Sequence, residues 1–197
     1  HDHLEDYGDM DNYLAHKLPL FQPEMSRQAV VSLESPWGQK VAERAGVPVT
    51  TLGEVGSGAE WTYRILERGA TGWSFEFHTG KGVLHTKISM LGAHMVKNAA
   101  LAIAMVVRAG FSPDALHQAI GTDAGGIDLI VPGRLERVSG GAAVNVFVDA
   151  GRSHDAYENT FDTLRRSFDG RLIVVCGTSG NRDRTKRPLM GQSAARW

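Results

Sequence analysis

Cys176-Gly177-Thr178-Ser179-Gly180-Asn181-Arg182-Asp183-Arg184-Thr185-Lys186-Arg187-Pro188-Leu189-Met190-Gly191 is the stretch on which the fold class turns. The apolar run Leu172 to Cys176 that leads into it reads as a buried strand, and Pro188 onward reads as the start of a helix. Between them lies a glycine-rich loop carrying Arg182, Arg184, Lys186 and Arg187. A strand, a basic loop and a helix N-terminus in succession hold anions in α/β proteins, because free N–H groups and the helix dipole add to side-chain charge. The loop is not a Walker A motif, since no Lys-Ser/Thr follows the last glycine of a G-x4-G spacing. Cys176, inside the apolar run, reads as a small buried side chain rather than a nucleophile.

Working back from the loop, Asp155 to Phe168 reads as a helix with Tyr157, Phe161, Leu164 and Phe168 on one face. Arg134 to Val138 and Ala143 to Val148 read as a hairpin across Gly140-Gly141. Asp149 closes that hairpin ahead of a glycine loop and a helix. Its carboxylate suits either a ribose or nearby backbone donors. Glycine density rises over Gly121 to Gly126 and again at Val131-Pro132-Gly133, which sets the expected division into residues 1–131 and 132–197. Met95 to Arg108 reads as a largely buried, Ala-rich helix stopped by Gly110, and Ser112-Pro113-Asp114 starts another. Before these, Trp61 to Ile88 alternates apolar and polar residues between glycine turns, as an antiparallel meander does. Ala29 to Leu33, Trp37 to Ala45 and Val47 to Leu52 form a β-α-β unit. A first helix carries Met10, Tyr13, Leu14, Lys17 and Leu18, with Asp9 as its N-cap and Pro19 at its end.

The 197 residues allow one sizeable core or two small domains. A net charge of −1 argues against nucleic acid as a partner, because phosphate backbones select basic surfaces. One cysteine excludes an internal disulfide and fits a reducing cytoplasm. No stretch approaches the ~20 apolar residues of a membrane span, so membrane insertion is not expected. His1, Asp2 and His3 suit a metal or a plain polar tail. The chain begins with His1 and ends inside a helical pattern, which suggests a fragment.

Several stretches together resemble the Mur ligases of peptidoglycan synthesis, of the MurE type. Asp2-His3-Leu4, Gly8-Asp9-Met10, Tyr13 and Lys17 are similar to that family's D-H-L-D-Y-H-G-x-M-x-x-Y-x-x-x-K. Leu91-Gly92 through Asn98 resembles G-x-F-N-V-x-N, and Val131 to Glu136 resembles V-x-G-R-M-E. Phe147-Val148-Asp149 with Asp155-Ala156 resembles V-V-D-Y-A-H-T-P-D-A. The basic loop resembles G-C-G-G-D-R-D-x-G-K-R-P-L-M-G.

The resemblance implies an α/β architecture: part of a central domain, with a mixed sheet, helices and an antiparallel meander, then the first half of a Rossmann-like C-terminal domain. It implies an ATP- and Mg²⁺-dependent carbon–nitrogen ligase of the bacterial cytoplasm. Such a ligase adds a diamino acid to UDP-MurNAc-L-Ala-D-Glu through an acyl phosphate. By the same likeness His3 is a Mg²⁺ ligand and Lys17 a carbamylated lysine holding a second Mg²⁺. Asn98 contacts adenine, Arg134 the phosphates and Asp149 the ribose. Arg152 stands at the family's His of Y-A-H, within the nucleotide site. Arg182 grips the diamino acid, with Asp183, Lys186 and Arg187 shaping that pocket. Met95 replaces the first Asn of its element, His154 a Pro, Asn181 an Asp and Thr185 a Gly. No G-T-x-G-K-[ST] stretch and no D-N-P-R motif occurs, so this polypeptide alone is expected not to ligate. A non-catalytic binding fragment of the same fold, or a related ligase such as folylpolyglutamate synthase, is the competing reading.

Overall fold

The computed structural model of the chain describes residues 7–140, 144–177 and 186–197. The first helix, α1 (Met10–Lys17), is capped by Asp9, whose carboxylate accepts the Asn12 amide at 2.8 Å. Pro19 turns the chain into a short 3₁₀ segment, Leu18–Phe21. The next elements form the expected β-α-β unit. Strand β1 (Ala29–Ser32), helix α2 (Pro36–Arg44) and strand β2 (Val49–Glu54) follow in order, with β1 and β2 parallel.

The meander then completes a five-stranded sheet in the order β1-β2-β3-β4-β5. Strands β3 (Trp61–Gly69), β4 (Gly72–Thr79) and β5 (Gly82–Ile88) are antiparallel to one another. Tight turns at Ala70-Thr71 and Gly80-Lys81 join them. Strand β3 lies parallel to β2, and Gly56 (φ +96°) and Gly58 (φ +79°) supply the left-handed backbone that this short return requires.

Alternation on the meander puts one face inward. Trp61, Tyr63, Trp73, Phe75, Phe77, Leu84 and Ile88 are buried together with Leu52. Helix α3 (Ala93–Arg108) covers them with Val96, Ala100, Ile103 and Ala104. Strand β1 is sandwiched, with Val30 facing the α3 side while Ala29 and Val31 pack against Val41 and Ala42 of α2. Gly38 makes the α2 contact possible, since a Cβ there would lie 1.8 Å from the Ser32 carbonyl oxygen.

Helix α3 is less buried than its composition predicts. One stripe enters the core, whereas Met105 is 58% exposed and the flank carrying Asn98, Ala99 and Ala102 borders a cavity. Gly110 (φ +105°) stops the chain after it, and Ser112 caps α4 (Pro113–Ile120) by accepting the Ala115 amide at 3.1 Å. The expected hairpin is present but short: β6 (Glu136–Arg137) and β7 (Phe147–Val148) pair antiparallel. Residues 141–143, which include Gly141 of the expected turn and Ala143 of the expected second strand, lie outside the described residues. Helix α5 (His154–Ser167) buries Tyr157, Phe161 and Leu164, and Phe168 stacks at a tilt on Phe147, 5.3 Å between centroids. Helix α6 (Lys186–Arg196) starts ahead of Pro188, which its first turn accommodates.

The run Leu172 to Cys176 departs from expectation. Leu172 and Val174 pack against Tyr157, Phe161 and Met190, but Ile173 is 70% and Val175 98% exposed. Among the described residues it pairs with no strand. An apolar run reads as two-sided burial, yet here only one side has a neighbour. Cys176 is likewise exposed rather than buried.

The two glycine environments predict opposite effects. Gly38→Ala drives a methyl into backbone and should lower stability by about 1–3 kcal/mol. Gly191, inside α6 with nothing within 4 Å of a built Cβ, should gain up to about 1 kcal/mol on Gly191→Ala. Urea unfolding midpoints of the two variants check this; a harmless Gly38→Ala would refute the close α2–β1 approach.

Candidate nucleotide cleft

A cavity of about 890 Å³ opens between α3, α4, α5 and the segment that follows α4. Its construction follows from local bonding. Ile127 donates its amide to the Lys87 carbonyl at 2.7 Å, and Ser89 exchanges hydrogen bonds with Leu129 at 2.9 and 3.0 Å. These ties lay residues 127–131 along the end of β5 as one wall. Leu116 and Ile120 of α4 form a second wall, and Met95, Ala99, Ala102 and Val106 of α3 the floor. Gly151, Ser153, Ala156 and Thr160 at the start of α5 close the far side.

Helix α3 is anchored near its N-terminus. Lys97 pairs with Glu34 at 3.0 Å, and Glu34 also accepts the hydroxyl of the buried Tyr63. Burial and the Glu34 carboxylate both push that phenol up from its ordinary value. The anchor joins the end of β1 to the turn of α3 that precedes Asn98.

Three residues far apart in the chain meet here: Asn98, Arg134 and Asp149 all line the cavity. The Arg134 guanidinium has no hydrogen-bond or ion-pair partner among the described residues. Asp149 does have partners. Its Oδ2 accepts the Leu135 amide at 2.9 Å and its Oδ1 the Gly151 amide at 2.6 Å. This carboxylate ties two turns together and still borders the cleft. Ser153 caps α5 by accepting the Ala156 amide at 3.2 Å, so the positive end of that helix dipole faces the same space. Met95, which stands at a family Asn, also lines the cavity.

Arg152 is exposed on the turn between Gly151 and Ser153, outside the lining, although both neighbours belong to it. Lys17 stands exposed at the end of α1 with its ammonium 5.3 Å from the Tyr13 ring centroid, and does not line the cleft. His3, Arg182 and Asp183 lie outside the described residues. Lys186 and Arg187 open α6 and are partly buried. Among the described residues no group of histidines, cysteines and carboxylates is arranged to hold a metal ion.

His94 is the residue that sequence reasoning missed. It lies in the first turn of α3, lines the cavity, and approaches Gly92 so closely that a Cβ there would meet its Cε1 at 2.6 Å. Its place in the G-x-F-N element, at the aromatic position, was the available signal. Burial holds its pKa below the ordinary 6.5; Asp149 opposes that shift, and Lys97 and Arg134 add to it.

Residues 1–106 match the Mur ligase middle domain. The chain belongs to the Mur ligase family. Residues 133–197 match the second description, Mur ligase, glutamate ligase domain. The chain is 46% identical over 198 residues to the UDP-N-acetylmuramyl-tripeptide synthetase of Leifsonia xyli subsp. xyli, covering 100% of this chain and 38% of that protein. It is 34% identical to the UDP-N-acetylmuramoyl-L-alanyl-D-glutamate--2,6-diaminopimelate ligase of Syntrophomonas wolfei, covering 100% of this chain and 40% of the relative. The chain thus spans about two fifths of the length of these relatives. Among solved structures, a UDP-N-acetylmuramoyl-L-alanyl-D-glutamate--2,6-diaminopimelate ligase superposes over 96% of this chain and 39% of its own, with a TM-score of 0.67 and 26% identity. The Mycobacterium tuberculosis folylpolyglutamate synthase complexed with ADP and AMPPCP covers 79% of this chain and 35% of its own, at a TM-score of 0.61 and 25% identity.

The His94 environment sets a pH dependence. The folded protein binds this proton less readily than the unfolded chain, so stability is full above the ordinary pKa of 6.5 and declines as pH falls through it. The carboxylates with lowered pKa, Glu76 and Glu158, start from 4.5 and titrate below that window. Wild type is expected to lose melting temperature between about pH 7.5 and 5.5, and His94→Phe to lose less. Parallel melting curves for the two across that range would refute the assignment.

Proposed function

We propose that this chain forms the ATP-side part of an amide ligase that adds a diamino acid to UDP-MurNAc-L-Ala-D-Glu. The observation that carries the reading is the meeting of Asn98, Arg134 and Asp149 on one cleft, bounded by residues from both matched parts of the family. The relatives, named as ligases of UDP-N-acetylmuramoyl peptides, support the substrate class, and the ADP and AMPPCP complex of a related fold supports a nucleotide.

In this reading the apolar wall of α3 and residues 127–131 takes the adenine, and the Asn98 amide reads a base edge. Asp149 accepts a ribose hydroxyl on a remaining lone pair while its backbone bonds persist. The unpartnered Arg134 guanidinium lies where phosphate oxygens enter, and its planar fork suits them bidentately. The N-terminus of α5 adds partial positive charge. A substrate carboxylate oxygen then attacks the γ-phosphorus, the bond to the β,γ-bridging oxygen breaks, and ADP leaves. The amine attacks the acyl carbon of the resulting acyl phosphate, expels inorganic phosphate and gives up a proton. Developing charge on the transferred phosphoryl group is what fixed cations stabilise.

Arg182, Asp183, Lys186 and Arg187 hold the diamino acid in the same proposal, with Arg182 on its carboxylate. Assigning Mg²⁺ to His3 and a carbamylated Lys17 also belongs to it. Among the described residues no cluster of histidines, cysteines and carboxylates forms a metal site.

Calorimetric titration tests the cleft. ADP is expected to bind the wild type, and Arg134→Ala to weaken ADP by about tenfold or more, the loss of a charged hydrogen-bond pair. Adenosine, lacking phosphates, should bind both proteins alike. Absence of ADP binding, or ADP affinity indifferent to Arg134, would overturn the nucleotide reading.

A further inference from the structure

Leu135 is the non-glycine residue with a positive φ among the described residues, at +47°. Side chains disfavour that region because Cβ crowds the following carbonyl. Yet Leu135 is buried, 6% exposed, in the main core. Something must hold the turn in place, and the hydrogen bonds identify it. The Gly133 amide donates to Glu136 Oε2 at 2.8 Å, the Arg134 amide to the Val131 carbonyl at 3.0 Å, and the Leu135 amide to Asp149 Oδ2 at 2.9 Å. The Gly133 carbonyl accepts the Ala150 amide at 2.7 Å. Every N–H from residue 133 to 135 is therefore bound, and two of the three are bound by carboxylates.

Arg134 sits between the two carboxylate-held amides, and it borders two spaces. One is the large cleft; the other is a cavity of about 290 Å³ behind the turn, lined by Ala70, Met90, Leu135 and Glu136. Glu136 lines only the second. It cannot act on a ligand in the cleft directly, but it can decide the direction in which Arg134 leaves the backbone.

We propose that Glu136 is a positioning residue. Its carboxylate and that of Asp149 clasp the Gly133–Leu135 turn, hold Leu135 left-handed, and keep the Arg134 guanidinium on the cleft side, aimed at the phosphates of a nucleoside diphosphate or triphosphate. This rests on the nucleotide reading above. Releasing the Gly133 amide loosens the turn and lets the guanidinium share its time with the smaller cavity, while the apolar base site is untouched.

The test uses the full chain as Glu136→Ala, Glu136→Gln, Arg134→Ala and the Arg134→Ala/Glu136→Ala double variant. ADP and adenosine are titrated calorimetrically, and amide hydrogen exchange at Gly133 and Leu135 is followed by NMR. Glu136→Ala is expected to weaken ADP about tenfold and leave adenosine unchanged. Glu136→Gln, whose side-chain oxygen can still accept the Gly133 amide, should stay near wild type. The double variant should bind ADP no more weakly than Arg134→Ala alone, because both act through one group. Gly133 should be protected from exchange in wild type and Glu136→Gln, and exposed in Glu136→Ala. Equal weakening of adenosine and ADP by Glu136→Ala, or an added loss on top of Arg134→Ala, would overturn the proposal, as would an unprotected Gly133 amide in wild type. If wild type binds neither ligand, the nucleotide reading falls, and exchange at Gly133 alone decides the clasp.

Discussion

The packing of α3 on the inner face of the sheet is the contact on which the rest depends. Ala100 and Ala104 stand one turn apart, both with no exposed surface, and Val96 and Ile103 flank them. Small residues at that spacing let the helix axis approach the strands closely, so the large side chains of the meander, Trp73, Phe75 and Phe77, fill the remaining volume. Burial of a large apolar side chain is worth roughly 1.5–3 kcal/mol, which makes this face the main store of stability in the chain. It also fixes which α3 residues are left over. The flank turned away from the sheet carries His94, Asn98 and Ala102, and it becomes the floor of the cleft. Fold and site share one helix, and its rotation about its own axis is set by the core.

The opposite wall is built by a different kind of force. Residues 127–135 and 149–153 belong to no helix or named strand, and backbone amides held by the side chains of Asp149, Glu136, Ser89 and Ser153 help to place them. A carboxylate that accepts two amides is well satisfied, so Asp149 contributes order as well as negative charge. That charge reaches His94, where it opposes the loss of basicity that burial imposes. The cleft is thus electrostatically mixed: a free guanidinium and a helix N-terminus favour anions, and Asp149 balances them near the half-buried imidazole.

Much of this was legible in the sequence. Period-two alternation from Trp61 to Ile88 gave the meander, and caps at Asp9 and Ser112 marked two helix starts. Asn98, Arg134 and Asp149 stood out through the family resemblance, and folding brings them together. Burial was harder to read. The alanine-rich run of α3 looked largely internal, because composition carries no information about which flank meets a cavity. Leu172 to Cys176 looked like a strand covered on both faces, because apolarity reports the capacity for burial and not the presence of a neighbour. His94 escaped notice because an imidazole at an aromatic position becomes informative only when Asp149, 55 positions later in the chain, is seen beside it.

Asp149 shows how a local role and the proposed functional one are compatible in one residue. From spacing alone its carboxylate suited a sugar hydroxyl or nearby backbone donors, as if one use excluded the other. The geometry removes the opposition. Each carboxylate oxygen spends one lone pair on an amide, Leu135 for Oδ2 and Gly151 for Oδ1, and retains another. The amides orient the carboxylate rigidly toward the cleft, and a ligand hydroxyl that meets an oriented acceptor loses less entropy than one that must order it. Backbone satisfaction is then a precondition of recognition. The same holds one turn earlier, where a leucine in a disfavoured conformation persists because carboxylate-held amides define the turn around it. The turn held in this way is the backbone from which Arg134 reaches the cleft.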